Sequence, residues 1–562
     1  MSLNSNTTRQ TDHQIVANNS GITVSPGKQR HPLRNIFGCC RTLHFPAISR
    51  QPALLLLLFS VLFLASCGPS TETIVVDREA RVAEDREDVE QEEEEFRVLK
   101  IGELNRIRSF DPLFAENTAT KRAIMITYEG LVRFNEDDRV ETAAARRWEV
   151  SDDSLRYTFY LRNNLFFHDD ESFSQGRGRR VNSRDVVSVF ERMASRDVPT
   201  HAAGLFTNSI RGFEAYNREQ RELFFDADRE INRISGIRAQ NDSTVIFELI
   251  EPDSKFLEKL ATPYAVIYPS EPFRFRDSGL HNHAVGTGPF KYESSVGDSI
   301  HIFLRNESYN RQDADGRQLP RAHRVELLAT QDETSLYSHF TRERLNIILD
   351  LGPLSIHTLV NDDNELASEL DGMYRLIGRP NPDPIVLRYN ADNRFGLGRS
   401  DAASVIRNIN ADTLRAMLQQ PALEVTYKEE EYTQSNIGRV YNRFGDNSDR
   451  QMRFAFNQDQ LPRVLSASMN SLMDRNLQIE LMQRRVFSRD IFLYLDYLNT
   501  LVPGEVHERQ PQEIMRIESY RYLLHNQDVD GILTNSLPWW IDLNHVRVPD
   551  AETSVMHSAG RD

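Results

Sequence analysis

The chain has 562 residues, with 67 Lys and Arg against 83 Asp and Glu and a formal net charge of −16. That length exceeds one typical domain and predicts two or three. The acidic balance argues against nucleic acid as a partner, because phosphate neutralisation needs a basic face, and it gives an anionic membrane surface nothing to attract.

Residues 53–67 read ALLLLLFSVLFLASC, with Gly68 next. An apolar run of about a dozen residues is too short for a bilayer, which needs about 20. It fits the h-region of a secretory signal, with Arg41 and Arg50 as its positive flank. The run ends in Leu64-Ala65-Ser66-Cys67, which resembles the bacterial lipobox. The resemblance implies cleavage before Cys67 and lipid on its thiol. The same residues also fit an ordinary signal whose small residues precede a Cys. Cys39 and Cys40 lie upstream, so the mature chain has no thiol for a disulfide framework or a Cys-based metal site. Losing the six basic residues and one acidic residue before Cys67 leaves a net charge of −21. Lipid must then do the anchoring, and several acyl chains on one Cys hold firmly where one does not.

Residues 72–95 carry twelve acids and three Arg. Self-repulsion predicts an extended tether there. Alternation over Phe96–Gly102 predicts a first strand. A loop with Asp111-Pro112 follows, then a helix over Thr120–Leu131 that stops near Gly130. Short strands are predicted at Leu131–Phe134, from Trp148 to a turn at Ser151–Ser154, and at Arg156–Arg162. Asn182-Ser183-Arg184-Asp185 is an N-cap signature ahead of an apolar helix face of Val186, Val187, Phe190 and Met193. Thr244–Leu249 reads as a strand and Asp253–Lys259 as a short helix. Gly286–Phe290 is a turn opening a strand pair. Later strands are predicted at Glu326–Leu328, Ile347–Leu349 and Ile385–Tyr389, and helices at Ala402–Ile409, Arg463–Met473 and Ile514–His525. The mixture is α/β, without a fixed-period repeat.

The order of these motifs carries a resemblance. Tyr128-Glu129-Gly130-Leu131, the hairpin from Ala143 and Trp148 to Arg162, Phe167-His168-Asp169-Asp170, Gly286-Thr287-Gly288-Pro289-Phe290 with Leu304–Tyr309, and Val386–Asn390 are similar, in sequence, to the solute-binding proteins of ABC importers, family 5. The likeness runs well over about residues 96–310 and thins from about 391. It implies a two-lobed periplasmic binding protein fold, type II-like, with an extra subdomain in the first lobe. The expected division is a signal region at 1–66 and the tether at 67–95. Lobe 1 takes 96–128, 270–383 and 537–562, the subdomain 129–269, and lobe 2 residues 384–536. It implies capture of a peptide or similar small solute, delivery to ABC permease and ATPase subunits, and a monomer in the bacterial cell envelope, outside the cytoplasm. The other reading kept open is a lipoprotein of this fold that has lost transport and serves as scaffold or sensor.

The resemblance also supplies ligand candidates. Glu116 lies a few residues after Asp111, where peptide-binding relatives hold ligand with an acid, and Thr118 is beside it. His201 sits in a loop where relatives contact ligand backbone. The relatives' late Asp for the peptide amine has only Asp496 as a substitute, without the usual flanking Trp and Pro. Two carboxylates without a cationic partner would favour a ligand with a positive group. Trp539 and Trp540 read as packing at the return to the first lobe. His168-Asp169-Asp170 reads as a turn before a metal cluster, and His281 with His283 as a surface loop. No motif for nucleophilic, nucleotide or metal chemistry is present, so no cofactor and no enzyme activity are expected.

Overall fold

A computed structural model of the chain describes residues 98–548, apart from short stretches that lie mostly between 407 and 509. Cys67, the signal segment, the tether and most of the helix predicted at Arg463–Met473 lie outside the described residues.

The first strand, β1 (Val98–Glu103), buries Leu99 and Ile101 on one face. Helix α1 (Thr118–Thr127) starts where the Asn117 side chain accepts the Thr120 amide, and it buries Ala119, Ala123 and Ile124. A small hairpin of β2 (Val132–Phe134) and β3 (Val140–Thr142) follows. Then come β4 (Ala145–Val150), β5 (Arg156–Leu161), helix α2 (Ser183–Met193), β6 (Ile237–Asn241) and β7 (Thr244–Glu248). The four strands form one sheet in the order β4-β5-β7-β6. Asn182 and Asp185 make a reciprocal capping box at the start of α2, as their spacing predicts. Phe159, Phe190 and Phe247 meet edge-to-face beneath it. That geometry adds to the gain from burial alone.

The chain continues through β8 (Phe290–Val296), β9 (Ile300–Arg305), β10 (Arg324–Ala329), β11 (Ile347–Ile348) and β12 (Tyr374–Pro380). A second sheet follows, of β13 (Ile385–Tyr389), β14 (Glu424–Tyr427), β15 (Met452–Phe456), β16 (Ile479–Gln483), β17 (Ile491–Tyr497) and β18 (Glu513–Glu518). The last long strand is β19 (Tyr520–Asn526). The larger sheet has seven strands in the order β12-β19-β11-β1-β10-β9-β8, and the other six in the order β14-β18-β13-β17-β15-β16. Within the larger sheet, β1 runs parallel to both its neighbours, β10 and β11.

The six-stranded sheet has a core of its own, while the seven- and four-stranded sheets share the large core. Leu99, Ile101, Val325, Leu327, Trp539 and Trp540 belong to the large one. Leu387, Leu493, Leu495, Met515 and Ile517 belong to that of the six-stranded sheet. Trp539 and Trp540 are buried as packing residues, and their indoles donate to Thr500 O and Phe134 O at 3.2 Å.

Two expectations are corrected. Residues 514–525 form no helix: they supply β18 and β19, broken at Ser519. Ile514, Ile517 and Arg521 have helical spacing, but the stretch is also rich in β-formers. Tyr522 and Leu524 pack on one side of β19 and Leu523 on the other. Pairing with β12 and β13 selects the strand. The chain therefore rejoins the larger sheet at Tyr520, before the return expected at Leu537.

The Gly286–Phe290 turn lies against the end of α1, where Gly288 N donates to Thr127 O at 2.9 Å. A Cβ on Gly286 would fall 2.1 Å from that same carbonyl oxygen. Backbone cannot yield as a side chain does. Gly286→Ala should therefore lower stability by at least about 2 kcal/mol, read as a shift in the urea midpoint at constant slope.

Candidate ligand cleft

Two short segments join the sheets. Residues 381–384 lead from β12 to β13, and Ser519 leads back from β18 to β19. They lie side by side, since Asn381 N donates to Ser519 O at 2.8 Å. A third segment approaches the same corner. Past β17, Thr500 N donates to Asp383 Oδ1 at 2.6 Å, and Thr500 Oγ1 donates to Pro382 O at 2.8 Å. Val502 enters the large core, and Lys255 Nζ reaches Pro503 O at 3.2 Å.

The carboxyl ends of β1 and β11 face this corner through their charges. In open α/β sheets ligands gather at such an edge. Glu103 ends β1 and is fully buried. Asp350 follows β11. Arg122, from α1, donates to Glu103 Oε2 at 2.7 Å and to Asp350 Oδ2 at 2.6 Å. Its Nε and Nη2 both donate to Pro538 O, at 3.1 and 2.6 Å. One guanidinium thus ties two strand ends to the C-terminal return. Burial pushes the Glu103 carboxyl up to about 7 against the pull of Arg122. Burial opposes the charge on Arg122, yet Asp350 and Glu103 hold its pKa above the ordinary value.

The Asp of the Asp-Pro pair is structural. Asp111 is buried, accepts from Leu113 N at 3.2 Å and takes Arg192 Nη1 at 2.9 Å. Glu116 is exposed and lies 3.8 Å from Arg108. Thr118 is half-buried at the first turn of α1. His201 is exposed and packs edge-on against Tyr264, with ring centres 4.9 Å apart. Tyr264 in turn donates to Ala115 O at 2.8 Å. Burial, with the Glu116 charge, raises the Tyr264 pKa. His201 thus packs on the ring of Tyr264, while the hydroxyl of that tyrosine binds the backbone of Ala115, the residue before Glu116.

Asp496 lies apart, on β17 opposite Val386 of β13. Its carboxylate meets Arg388 Nη1 at 3.3 Å and is 39% exposed. The expectation of two carboxylates without a cation fails on both counts. Register explains the second case: Val386 and Arg388 share the face on which Asp496 and Tyr494 stand. Sequence reasoning missed Glu103, Arg122 and Asp350, whose separation along the chain hides their meeting. Their one signal was an acid at the carboxyl end of a predicted strand.

The His168 cluster is also structural. His168 is buried and its Nε2 meets Gly288 O at 2.9 Å. Asp170 binds His283 at 2.9 Å and Arg276 at 2.7 Å. Burial alone would raise the Asp170 pKa, but hydrogen bonds from His283, Arg276 and Ser172 hold it well below the usual range. Among the described residues no group of three His, Cys, Asp or Glu could hold a metal, and no helix is long and apolar enough to cross a membrane.

Residues 139–395 match the bacterial extracellular solute-binding proteins, family 5 middle region. Di/tripeptide-binding protein 4 of Pseudomonas aeruginosa is 32% identical over 170 residues, 29% of each chain. Heme-binding protein A of Haemophilus influenzae is 30% identical over 210 residues, 36% of this chain and 35% of that protein. These matches thus span about a third of each relative. The fold extends further. The substrate-binding domain of a Bacillus anthracis oligopeptide ABC transporter superposes with a TM-score of 0.63 at 12% identity, covering 80% of this chain and 98% of that one. The Helicobacter pylori periplasmic binding protein DppA, solved with the peptide STSA, gives 0.59 at 14% identity over 78% and 96%. The architecture is therefore the two-lobed periplasmic binding fold.

Two predictions follow from the buried charges. Arg122→Ala strands Glu103 and Asp350 and should cost about 3–5 kcal/mol, part of it restored by adding Glu103→Gln. Chemical denaturation of the single and double variants checks this. Burial lowers the His168 pKa from 6.5 to about 4. The folded state thus favours the neutral ring, so this stability is intact above about pH 6.5 and falls as pH drops towards 4. His168→Gln should flatten the loss between pH 6.5 and 4, measured by urea midpoints.

Proposed function

We propose that this chain, which belongs to the bacterial extracellular solute-binding proteins of family 5, captures a peptide or similar small solute between its lobes and passes it to an ABC importer. The observation that carries this reading is the pair of adjoining crossings, 381–384 and Ser519, between two independently cored sheets. Such a joint lets the lobes close over a ligand. A closing cleft buries most of a flexible solute while a few polar groups orient it.

In this reading lobe 2 is residues 384–518. Lobe 1 is the rest of the globule, with 129–269 as its subdomain. Glu116 and His201 serve one wall of the cleft, and Asp496 with Arg388 the other. The chain works as a monomer without catalysis of its own. Lipid on Cys67 holds it at the outer face of a membrane, and the acidic tether lets the globule reach the permease.

The purified mature protein should gain thermal stability with a di- or tripeptide pool, by about 2.7 kcal/mol at a hundredfold excess over Kd. No shift with any peptide pool would remove peptides as the solute. Cys67→Ser should move the protein from the membrane fraction to the soluble extract. Retention of that variant after a high-salt wash would remove the lipid anchor.

A further inference from the structure

The chain is acidic as a whole, but one corner of the subdomain reverses that sign. Glu248 ends β7, and arginines from three segments converge on its carboxylate. Arg156 Nη2 lies 3.5 Å from it, Arg211 Nη1 3.5 Å and Arg238 Nη2 3.6 Å. Strand register sets two of them on one face. Arg156 of β5 stands directly opposite Glu248, and Arg238 of β6 stands opposite Ile246, which shares the face of Glu248. Tyr157, Phe247 and Ile237 take the other face and are buried in the large core.

The backbone brings in the third. Arg211 N donates to Glu248 O at 3.0 Å, Gly236 N to Arg211 O at 2.8 Å and Glu248 N to Gly236 O at 2.7 Å. A Cβ on Gly236 would fall 2.5 Å from Arg211 O and 2.7 Å from Glu248 O. Only glycine lets the three segments approach so closely.

Three guanidiniums thus share one carboxylate, which leaves two positive charges unmatched. Contacts of 3.5–3.6 Å are too long to use up N–H donors. Among the described residues the three side chains make no other ion pair. They are 55–57% exposed, against 22% for Glu248, so the cations lie outermost. Asp153 and Glu251, close by in sequence, pair with none of them, and Asp153 is taken by Ser151 Oγ at 2.5 Å and Leu155 N at 3.1 Å. Ile250, two residues past Glu248, is 53% exposed. Like charges held this close repel one another, and an anion with several oxygens relieves that.

We propose that Arg156, Arg211 and Arg238 form a phosphate-binding site on the outer face of the subdomain, using none of the residues assigned to the cleft. Guanidinium forks match phosphate oxygens in pairs, and three forks exceed what the two oxygens of a carboxylate can take. The phosphate belongs to a phospholipid headgroup or to a small soluble ester. The lipid anchor proposed above keeps a bilayer in range, since residues 68–97 reach at most about 100 Å, and the exposed Ile250 suits a lipid surface.

The test uses the mature chain with Cys67→Ser, so that no lipid of its own contributes, at low ionic strength. One probe is vesicles of phosphatidylglycerol in phosphatidylcholine, compared with phosphatidylcholine alone and read by flotation. The other is glycerol 3-phosphate, read by calorimetry. Each of Arg156→Gln, Arg211→Gln and Arg238→Gln should weaken binding about 5-fold, the worth of one cation beside an anionic surface. Glu248→Gln removes the competing carboxylate and should tighten binding by a similar factor, which a merely structural role would not do. Urea midpoints check that each variant is folded, and where glutamine lowers the midpoint, lysine at the same position should keep both fold and most of the binding. Flotation with the phosphatidylglycerol vesicles assigns the site to a headgroup, and calorimetric binding of glycerol 3-phosphate without flotation assigns it to a soluble ester. Equal flotation with both kinds of vesicle, no binding of either probe, or glutamine variants that bind as the parent does overturns the site and leaves the three arginines as solvated charges.

Discussion

Arg122 satisfies three distant parts of the chain with one guanidinium. It takes the end of β1 through Glu103, the end of β11 through Asp350, and the C-terminal return through Pro538 O. A buried charge is tolerated only when its donors are used. Here each partner would be stranded without the arginine, which makes the three segments depend on one another. The two parallel strands and the return are thereby held at the edge where the lobes join. Arg379 and Arg521 extend the same device, gripping the carbonyls of residues 534–537 from the neighbouring strands. The proposed hinge, residues 381–384 with Ser519, lies directly beside this tied corner.

A tied corner beside a short double crossing suits a protein that must close and reopen. The third segment, at 500–503, adds a brace. It leaves the second sheet, places Val502 in the first core and is pinned at Thr500 by Asp383 and Trp539. Asp496 lies just before this brace and Arg388 beside it. The Asp496–Arg388 pair is thus a few residues of strand away from the joint.

Much of the first lobe was legible because its signals are local. Asn182 and Asp185 name their helix start by spacing alone. Gly286 and Gly288 mark a turn that admits no side chain. The alternation of Leu99 and Ile101 gives the central strand. Residues 514–525 were misread because Ile514, Ile517 and Arg521 suit a helix as well as a strand, and only sheet partners far along the chain decide. The site was less legible for the same reason. Arg122 and Asp350 are 228 residues apart, and Asp496 gains its cation through strand register. Glu116 and His201 come from a family pattern, whereas the ring contact of His201 with Tyr264 carried no signal in the sequence.

The central claim is that the two sheets move as separate bodies about residues 381–384 and Ser519 when solute enters. The three cysteines all lie at or before residue 67, so spin labels can be placed on the globule at Glu369→Cys on the first lobe and Asp412→Cys on the second. Pulsed dipolar distances between them, with and without a tripeptide pool, test the claim most directly. Closure predicts a shorter and narrower distance distribution at saturating peptide, with a pair placed inside the first lobe unchanged. An identical distribution with and without bound peptide would contradict it.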